Sequence, residues 1–115
     1  MLQPKLVAQL CLSMRNSCQI PVTVKCRLGV NNNDSYPELV QFIKTVNQDS
    51  GVTKFIVHAR KALLQGLNPK ENRTIPDLKY DWVMKLKEDF PDISFVINGG
   101  LNTIEKVKAI LDKES

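Results

Sequence analysis

The sequence has no apolar run long enough to cross a membrane. A transmembrane helix needs about 18 or more consecutive apolar residues, and no stretch of the 115 residues approaches that length. The amino-terminal segment also lacks the apolar core of a secretory signal peptide. With 43% hydrophobic and 24% charged residues, the chain is predicted to form one soluble globular domain with no membrane partner, in the cytoplasm or an organelle interior.

Cysteine, histidine and excess charge are also scarce. The three cysteines are odd in number and form no Cys-x-x-Cys pair, and His58 is the only histidine. Neither a disulfide framework nor a metal site is therefore expected, and Cys11 and Cys26 are predicted to be buried in a reducing compartment. The net charge of +4 is too small to distinguish a solvated basic surface from a nucleic-acid partner.

Helix and strand patterns alternate along the chain. Apolar residues at helical spacing predict helices at 3–16, from a Ser35–Glu38 capping box to Gly51, at 79–90, and after an Asn102–Glu105 cap. The last helix should bury Ile104, Val107, Ile110 and Leu111. Alternating or β-branched runs predict strands at 21–28, 53–59 and 93–98, with a long loop at 61–79. Regular alternation of this kind indicates parallel strands with right-handed crossovers.

The spacing of the strands is natural for a β/α barrel. Their ends are 33 residues apart from Lys25 to His58 and 40 apart from His58 to Asn98. Eight such units need about 200 residues. Residues 1–115 are therefore predicted to be a single fragment of a (β/α)8 TIM barrel, with three parallel strands alternating with four helices. Two raw sheet edges and an uncovered inner face predict self-association into a dimer or larger assembly.

Three polar residues share the predicted inner face of these strands. Lys25, His58 and Asn98 lie close to the carboxyl ends, where β/α barrels keep their active sites. Each one alone has an ordinary structural interpretation, as a surface lysine, a structural histidine or a turn asparagine. The coincidence of all three favours a functional site.

Two further features suit a phosphorylated ligand. Gly99 and Gly100 follow Asn98 and precede a helix, which allows successive N–H groups to form a phosphate cradle. The loop after the second strand is basic. Its candidate phosphate contacts are Arg60, Lys61, Lys70, Asn72 and Arg73. A basic loop can equally be a solvated surface.

Four segments together resemble one family. They are VTVKCRLG at 22–29, the Asp34-Ser35-Tyr36 start of the second helix, IVHARKALLQGLNPKENR at 56–73, and INGG at 97–100. The chain is similar over almost its whole length to the FMN-dependent tRNA-dihydrouridine synthases, in particular the bacterial DusA-type subgroup. The resemblance implies a flavoprotein oxidoreductase of tRNA processing that reduces uridine in tRNA to 5,6-dihydrouridine, with FMN as cofactor and NADPH as the source of electrons.

The resemblance also assigns roles residue by residue. Lys25 and His58 match the family's lysine and histidine beside FMN and the flipped uracil. Asn98, Gly99 and Gly100 match its flavin-phosphate loop. The five residues of the basic loop are expected to contact tRNA; they are Arg60, Lys61, Lys70, Asn72 and Arg73.

One family motif has no counterpart in this sequence. The family protonates uracil with a cysteine in an Asn-x-Gly-Cys-Pro motif, and none of the three cysteines has that context. The resemblance therefore implies an internal fragment, from about the fourth barrel helix to the seventh, which has no catalytic residue and is inactive alone. Two alternatives stay open. The chain is a non-catalytic domain that binds RNA or phosphate, or it belongs to a different flavin-binding TIM-barrel oxidoreductase.

Overall fold

A computed structural model describes residues 1–114 of the chain. The helices are α1 (Pro4–Ser17), α2 (Tyr36–Ser50), α3 (Pro69–Asn72), α4 (Tyr80–Asp89) and α5 (Ile104–Glu114), and the strands are β1 (Val24–Arg27), β2 (Lys54–His58) and β3 (Ser94–Asn98). The strands form one parallel sheet in the order β1-β2-β3. This is the α/β arrangement expected of part of a β/α barrel. Within the described residues, no helix is both long and apolar enough for a membrane span.

Local signals fix both ends of α2. The Ser35 hydroxyl accepts a hydrogen bond from the Glu38 N–H, and the Glu38 carboxylate accepts one from the Ser35 N–H, which completes the predicted capping box. At the other end Gly51 has a φ of 76° and its N–H donates to the Asn47 carbonyl. Glycine adopts this left-handed conformation without steric cost, so α2 ends where the sequence predicted.

The core lies between one face of the sheet and the helices α2 and α4, of which α4 contributes Val83 and Leu86. Phe55, Val57 and Ala59 point to that face and are completely buried. They pack with the apolar stripe of α2, which includes Ile43 and Val46. Cys26 joins this cluster from β1, and Cys11 joins it from α1, as predicted. The opposite face of the sheet carries the polar residues of the strands together with Ile56 and Val96.

The predicted loop at 61–79 contains an unpredicted short helix, α3. The Asn68 side chain accepts from the Glu71 N–H and the Glu71 side chain accepts from the Asn68 N–H. Four residues in a Pro/Asn-rich segment show no helical periodicity, so the sequence signals of this helix are the capping pair and Pro69 in its first turn. The structure therefore has five helices among its described residues rather than four.

Two expectations for the last helix are wrong. The Thr103 hydroxyl, and not Asn102, accepts the Lys106 N–H at its start. Ile104, Val107 and Leu111 were expected to be buried, yet they are 69%, 40% and 56% exposed. An apolar stripe shows that a helix is suited to packing, and the described chain provides no second layer to cover this one. The same holds for Leu6, Leu10 and Met14 of α1, which packs against α2 through Ala8 and Cys11.

Candidate functional site

The polar residues predicted to share a sheet face do share it. Side chains alternate along a strand, and the buried positions of β1 and β2 leave Lys25 and His58 on the face opposite α2, together with Asn98 of β3. The register places His58 level with Asn98 and with Arg27, at the carboxyl edge of the sheet. Lys25 is level with Ile56 and therefore lies one inward-facing position deeper.

His58 is buried and has an unpaired nitrogen. Its side chain is 7% exposed, and Nε2 has no hydrogen-bond partner within the described residues. Burial, and then the positive charges of Arg27, Arg60 and Lys25, lower the pKa of His58 from 6.5 to about 4. The imidazole is thus neutral near pH 7. A buried nitrogen without a partner costs free energy unless a ligand supplies one.

The glycine pair after β3 packs directly on this histidine. Gly99 and Gly100 have φ values of 104° and 68°, a backbone region that other residues rarely adopt. A Cβ on Gly99 would lie 2.4 Å from Cδ2 of His58, and one on Gly100 would lie 2.5 Å from Leu78. Glycine is therefore required at Gly99 by close approach to the His58 ring as well as by backbone conformation, and at Gly100 mainly by backbone conformation.

Tyr80, at the start of α4, holds the glycine turn. Its hydroxyl donates a hydrogen bond of 2.5 Å to the Gly99 carbonyl. Burial raises the pKa of Tyr80, although the charge of Arg60 opposes this effect. The phenol is therefore protonated and acts as the donor.

Arg60 is buried rather than exposed on the basic loop. The residue is 9% exposed, its Nη1 donates to the Pro76 carbonyl, and its Nε has no partner within residues 1–114. No carboxylate bonds to this guanidinium among the described residues. A buried cation without a counter-ion raises the local positive potential at His58 and at the glycine turn.

Lys61 and Asn72 of the basic loop are engaged in its internal structure. Lys61 forms an ion pair of 3.0 Å with Asp34, and this contact lowers the pKa of that carboxyl. The Asn72 side chain donates to the Leu63 carbonyl and accepts from the Leu63 N–H, each at 2.8 Å. The Lys61–Asp34 pair fixes the loop against the segment that follows β1, and the Asn72–Leu63 hydrogen bonds close the loop on itself.

Lys70 and Arg73 are the free cations of the loop. Both residues are exposed, and within residues 1–114 neither forms an ion pair. They lie on or next to α3, which buries no residue of its own. These two side chains are available to an anionic partner.

The prediction of site residues omitted Arg27 and Tyr80. Arg27 donates to the carbonyls of Asn72 and Lys61 at 2.5 and 3.4 Å, and so attaches the basic loop to the end of β1. Strand alternation places Arg27 on the same face as Lys25, so the sequence contained the signal. No sequence pattern marks Tyr80, whose contact depends on the packing of α4 beside β3.

Comparison with known proteins shows which family this chain is similar to. The family model described as dihydrouridine synthase (Dus) matches residues 1–115. A tRNA-dihydrouridine(20/20a) synthase of Pseudomonas syringae pv. tomato is 54% identical over 92% of this chain and 31% of its own length. Proteins of the same name from Synechocystis sp. and Escherichia coli O6:H1 are 52% and 50% identical, over 94% and 93% of this chain, with 32% of each relative covered. The chain thus spans about a third of the length of these relatives.

Proposed function

This chain belongs to the dihydrouridine synthase family, and from that premise we propose that it forms the part of a tRNA-dihydrouridine synthase that holds FMN and contacts tRNA. The protein containing it would reduce uridine in tRNA to 5,6-dihydrouridine with NADPH as reductant. The observation that supports this most directly is the buried, unpaired Nε2 of His58 beneath a glycine turn, on the same sheet face as Lys25.

The residues of the site fit a flavin mononucleotide. Gly99 and Gly100 form a turn without side chains, because His58 and Leu78 occupy the space that each Cβ would need, and the position of this turn before a helix suits a phosphate group. His58, neutral near pH 7, has a nitrogen free to bond to a polar atom of the ring system. Asn98 is level with His58 and exposed, so its amide is available beside it.

Lys25 would stabilise the reduced cofactor. Bound FMN supplies the hydride that reduces the uracil ring. Reduced flavin is anionic, and a fixed ammonium group on the open sheet face favours that charge. Lys25 is exposed on this face, one inward position below Arg27, which places it within the sheet rather than on a flexible loop. The cations of Arg27 and Arg60 add to the same positive potential.

We propose that some residues of the basic loop contact tRNA and that others hold the loop in place. Lys70 and Arg73 contact backbone phosphates because they are exposed and unpaired. Arg60, Lys61 and Asn72 hold the loop in place through their contacts with Pro76, Asp34 and Leu63. The flipped uracil is then brought to the carboxyl edge of the sheet, beside His58.

Catalysis itself would need more than this chain. The sequence has no cysteine in the context that the family uses to protonate uracil. We therefore propose that the 115-residue chain alone binds ligands but does not catalyse the reduction of uridine. Activity would belong to a polypeptide of the family's full length. We further propose that the isolated chain self-associates through its open sheet face and exposed apolar stripes.

Flavin binding is the first test. The chain is titrated with FMN while quenching of flavin fluorescence is followed. We expect saturable binding that His58→Gln weakens by about tenfold, since one buried hydrogen bond is lost or misplaced. A wild-type chain that leaves FMN fluorescence unchanged at every concentration would contradict the cofactor assignment.

Binding of tRNA is the second test. Lys70→Ala and Arg73→Ala should each weaken a gel-shift affinity and reduce the slope of log affinity against log salt by about one. Lys54→Ala is the matched control, because Lys54 is an exposed lysine at the opposite end of β2. Equal losses in all three variants would show that the contact depends on net charge alone.

The cellular test concerns the whole activity. Deletion of the gene that encodes the chain should remove dihydrouridine from tRNA, as measured by mass spectrometry of nucleosides. Unchanged dihydrouridine together with intact tRNA binding by the chain would favour the alternative, a non-catalytic RNA-binding domain.

A further inference from the structure

One contact in the site has no role assigned above, namely the hydrogen bond from Tyr80 to the glycine turn. The hydroxyl of this α4 residue reaches the Gly99 carbonyl at 2.5 Å, across 19 positions of sequence. A Cβ on Gly100 would lie 2.9 Å from the same hydroxyl and 3.5 Å from Nη2 of Arg60. Tyr80 and Arg60 thus lie together on one side of the turn.

This contact determines the direction of a backbone donor. In a trans peptide the carbonyl and the following N–H point in opposite directions. The chain has no cis peptide bond among its described residues. Because the Gly99 carbonyl points to Tyr80, the Gly100 N–H points away from it. Within residues 1–114, that N–H bonds to no protein acceptor.

Without the tyrosine, the turn would have a choice of conformations. A Gly-Gly segment can flip its peptide at little cost because both residues tolerate either sign of φ. His58 packs against Gly99. Apart from the Tyr80 hydroxyl, the Gly99 carbonyl has no hydrogen-bond donor within residues 1–114. The phenol contact is therefore the only hydrogen bond within residues 1–114 that holds the Gly99 carbonyl in the observed orientation.

We propose that Tyr80 is a positioning residue for the phosphate of the bound ligand. Its hydroxyl fixes the Gly99–Gly100 peptide so that the Gly100 N–H is presented to the phosphate. This inference rests on the proposed flavin-nucleotide function, and it adds a residue on the helical layer to the cradle formed by the β3 loop. Arg60 supports the same orientation by keeping the local potential positive.

The two tyrosines of the chain supply a matched pair of variants. Tyr80→Phe removes the hydroxyl that reaches Gly99. Tyr36→Phe removes a hydroxyl that bonds to Asp89 on an exposed surface. Each variant keeps its aromatic ring, so packing is preserved. Both are titrated with FMN and with riboflavin, which has the same ring system and no phosphate.

The expected result is a loss specific to the phosphate. Tyr80→Phe should weaken FMN binding by about tenfold and change riboflavin binding by less than about twofold. Tyr36→Phe should leave both affinities at the wild-type value. An unchanged FMN affinity in Tyr80→Phe, or an equal loss for riboflavin, would overturn the positioning role.

A second measurement separates this inference from the proposed function. Amide chemical shifts of Gly99 and Gly100 are recorded by NMR without ligand. Tyr80→Phe should shift or broaden these signals, whereas Tyr36→Phe should not, and unchanged signals in Tyr80→Phe would show that the hydroxyl does not fix the turn. If the wild-type chain binds neither flavin, the proposed function and the phosphate-positioning role both fail, and the NMR result decides only whether the Tyr80 hydroxyl fixes the turn.

Discussion

The pH dependence of stability should report the buried state of His58. The folded-state pKa is about 4 against an ordinary value of 6.5, so between these values the unfolded chain binds the proton that the folded chain excludes. Stability contributed by the neutral imidazole is therefore present above pH 6.5 and is lost as the pH falls toward 4. Between pH 7 and pH 5 the loss amounts to about 2 kcal/mol.

The assay compares urea unfolding of the wild-type chain and His58→Gln at both pH values. All carboxylates are common to the two proteins, so their titration cancels in the difference. The wild type should lose about 2 kcal/mol more than the variant. Since His58 is the only histidine, its ring-proton NMR signal gives the pKa directly. A measured pKa of 6 or above, or equal acid sensitivity of the two proteins, would refute the reasoning.

Three other predictions concern the turn, the basic loop and the assembly. Gly99→Ala should destabilise the chain by roughly 3 kcal/mol because its Cβ meets His58, while Gly66→Ala, in open space at φ 85°, should cost only about 1 kcal/mol in thermal or urea unfolding. Arg27→Ala removes the bond to the Asn72 carbonyl, so amide hydrogen exchange in residues 61–73 should accelerate while exchange in α2 stays at the wild-type rate. Light scattering should find a dimer or larger species at micromolar concentration, and a strictly monomeric chain would contradict the expected self-association.

Local chemistry made part of this structure predictable. The ends of α2 follow from Ser35, Glu38 and Gly51, whose roles depend only on neighbouring backbone. The shared face of Lys25 and His58 follows from alternation along two strands.

Features that depend on distant packing were not predictable. Arg60 looks like a surface residue in a basic loop, yet it is buried because the chain returns over it at Pro76. Asn102 and Thr103 are adjacent residues of nearly equal capping ability, so only the geometry of α5 decides between them. The exposed stripe on α5 shows the same limit, since an amphipathic pattern does not state which surface will cover it.

Hydrogen bonds at Asn72 attach the helix α3 to Arg27 and Leu63, and none of the four residues of α3 is buried. Changes at its solvent-facing positions would alter the proposed contact with tRNA while leaving the free energy of the hydrophobic core nearly unchanged. A library randomised at Lys70 and at the neighbouring exposed residue Thr74, with Asn68, Glu71 and Asn72 retained as anchors, would therefore sample new ligand preferences on an intact scaffold. The proposed tRNA contact and the folding of the domain are therefore separately adjustable in this segment.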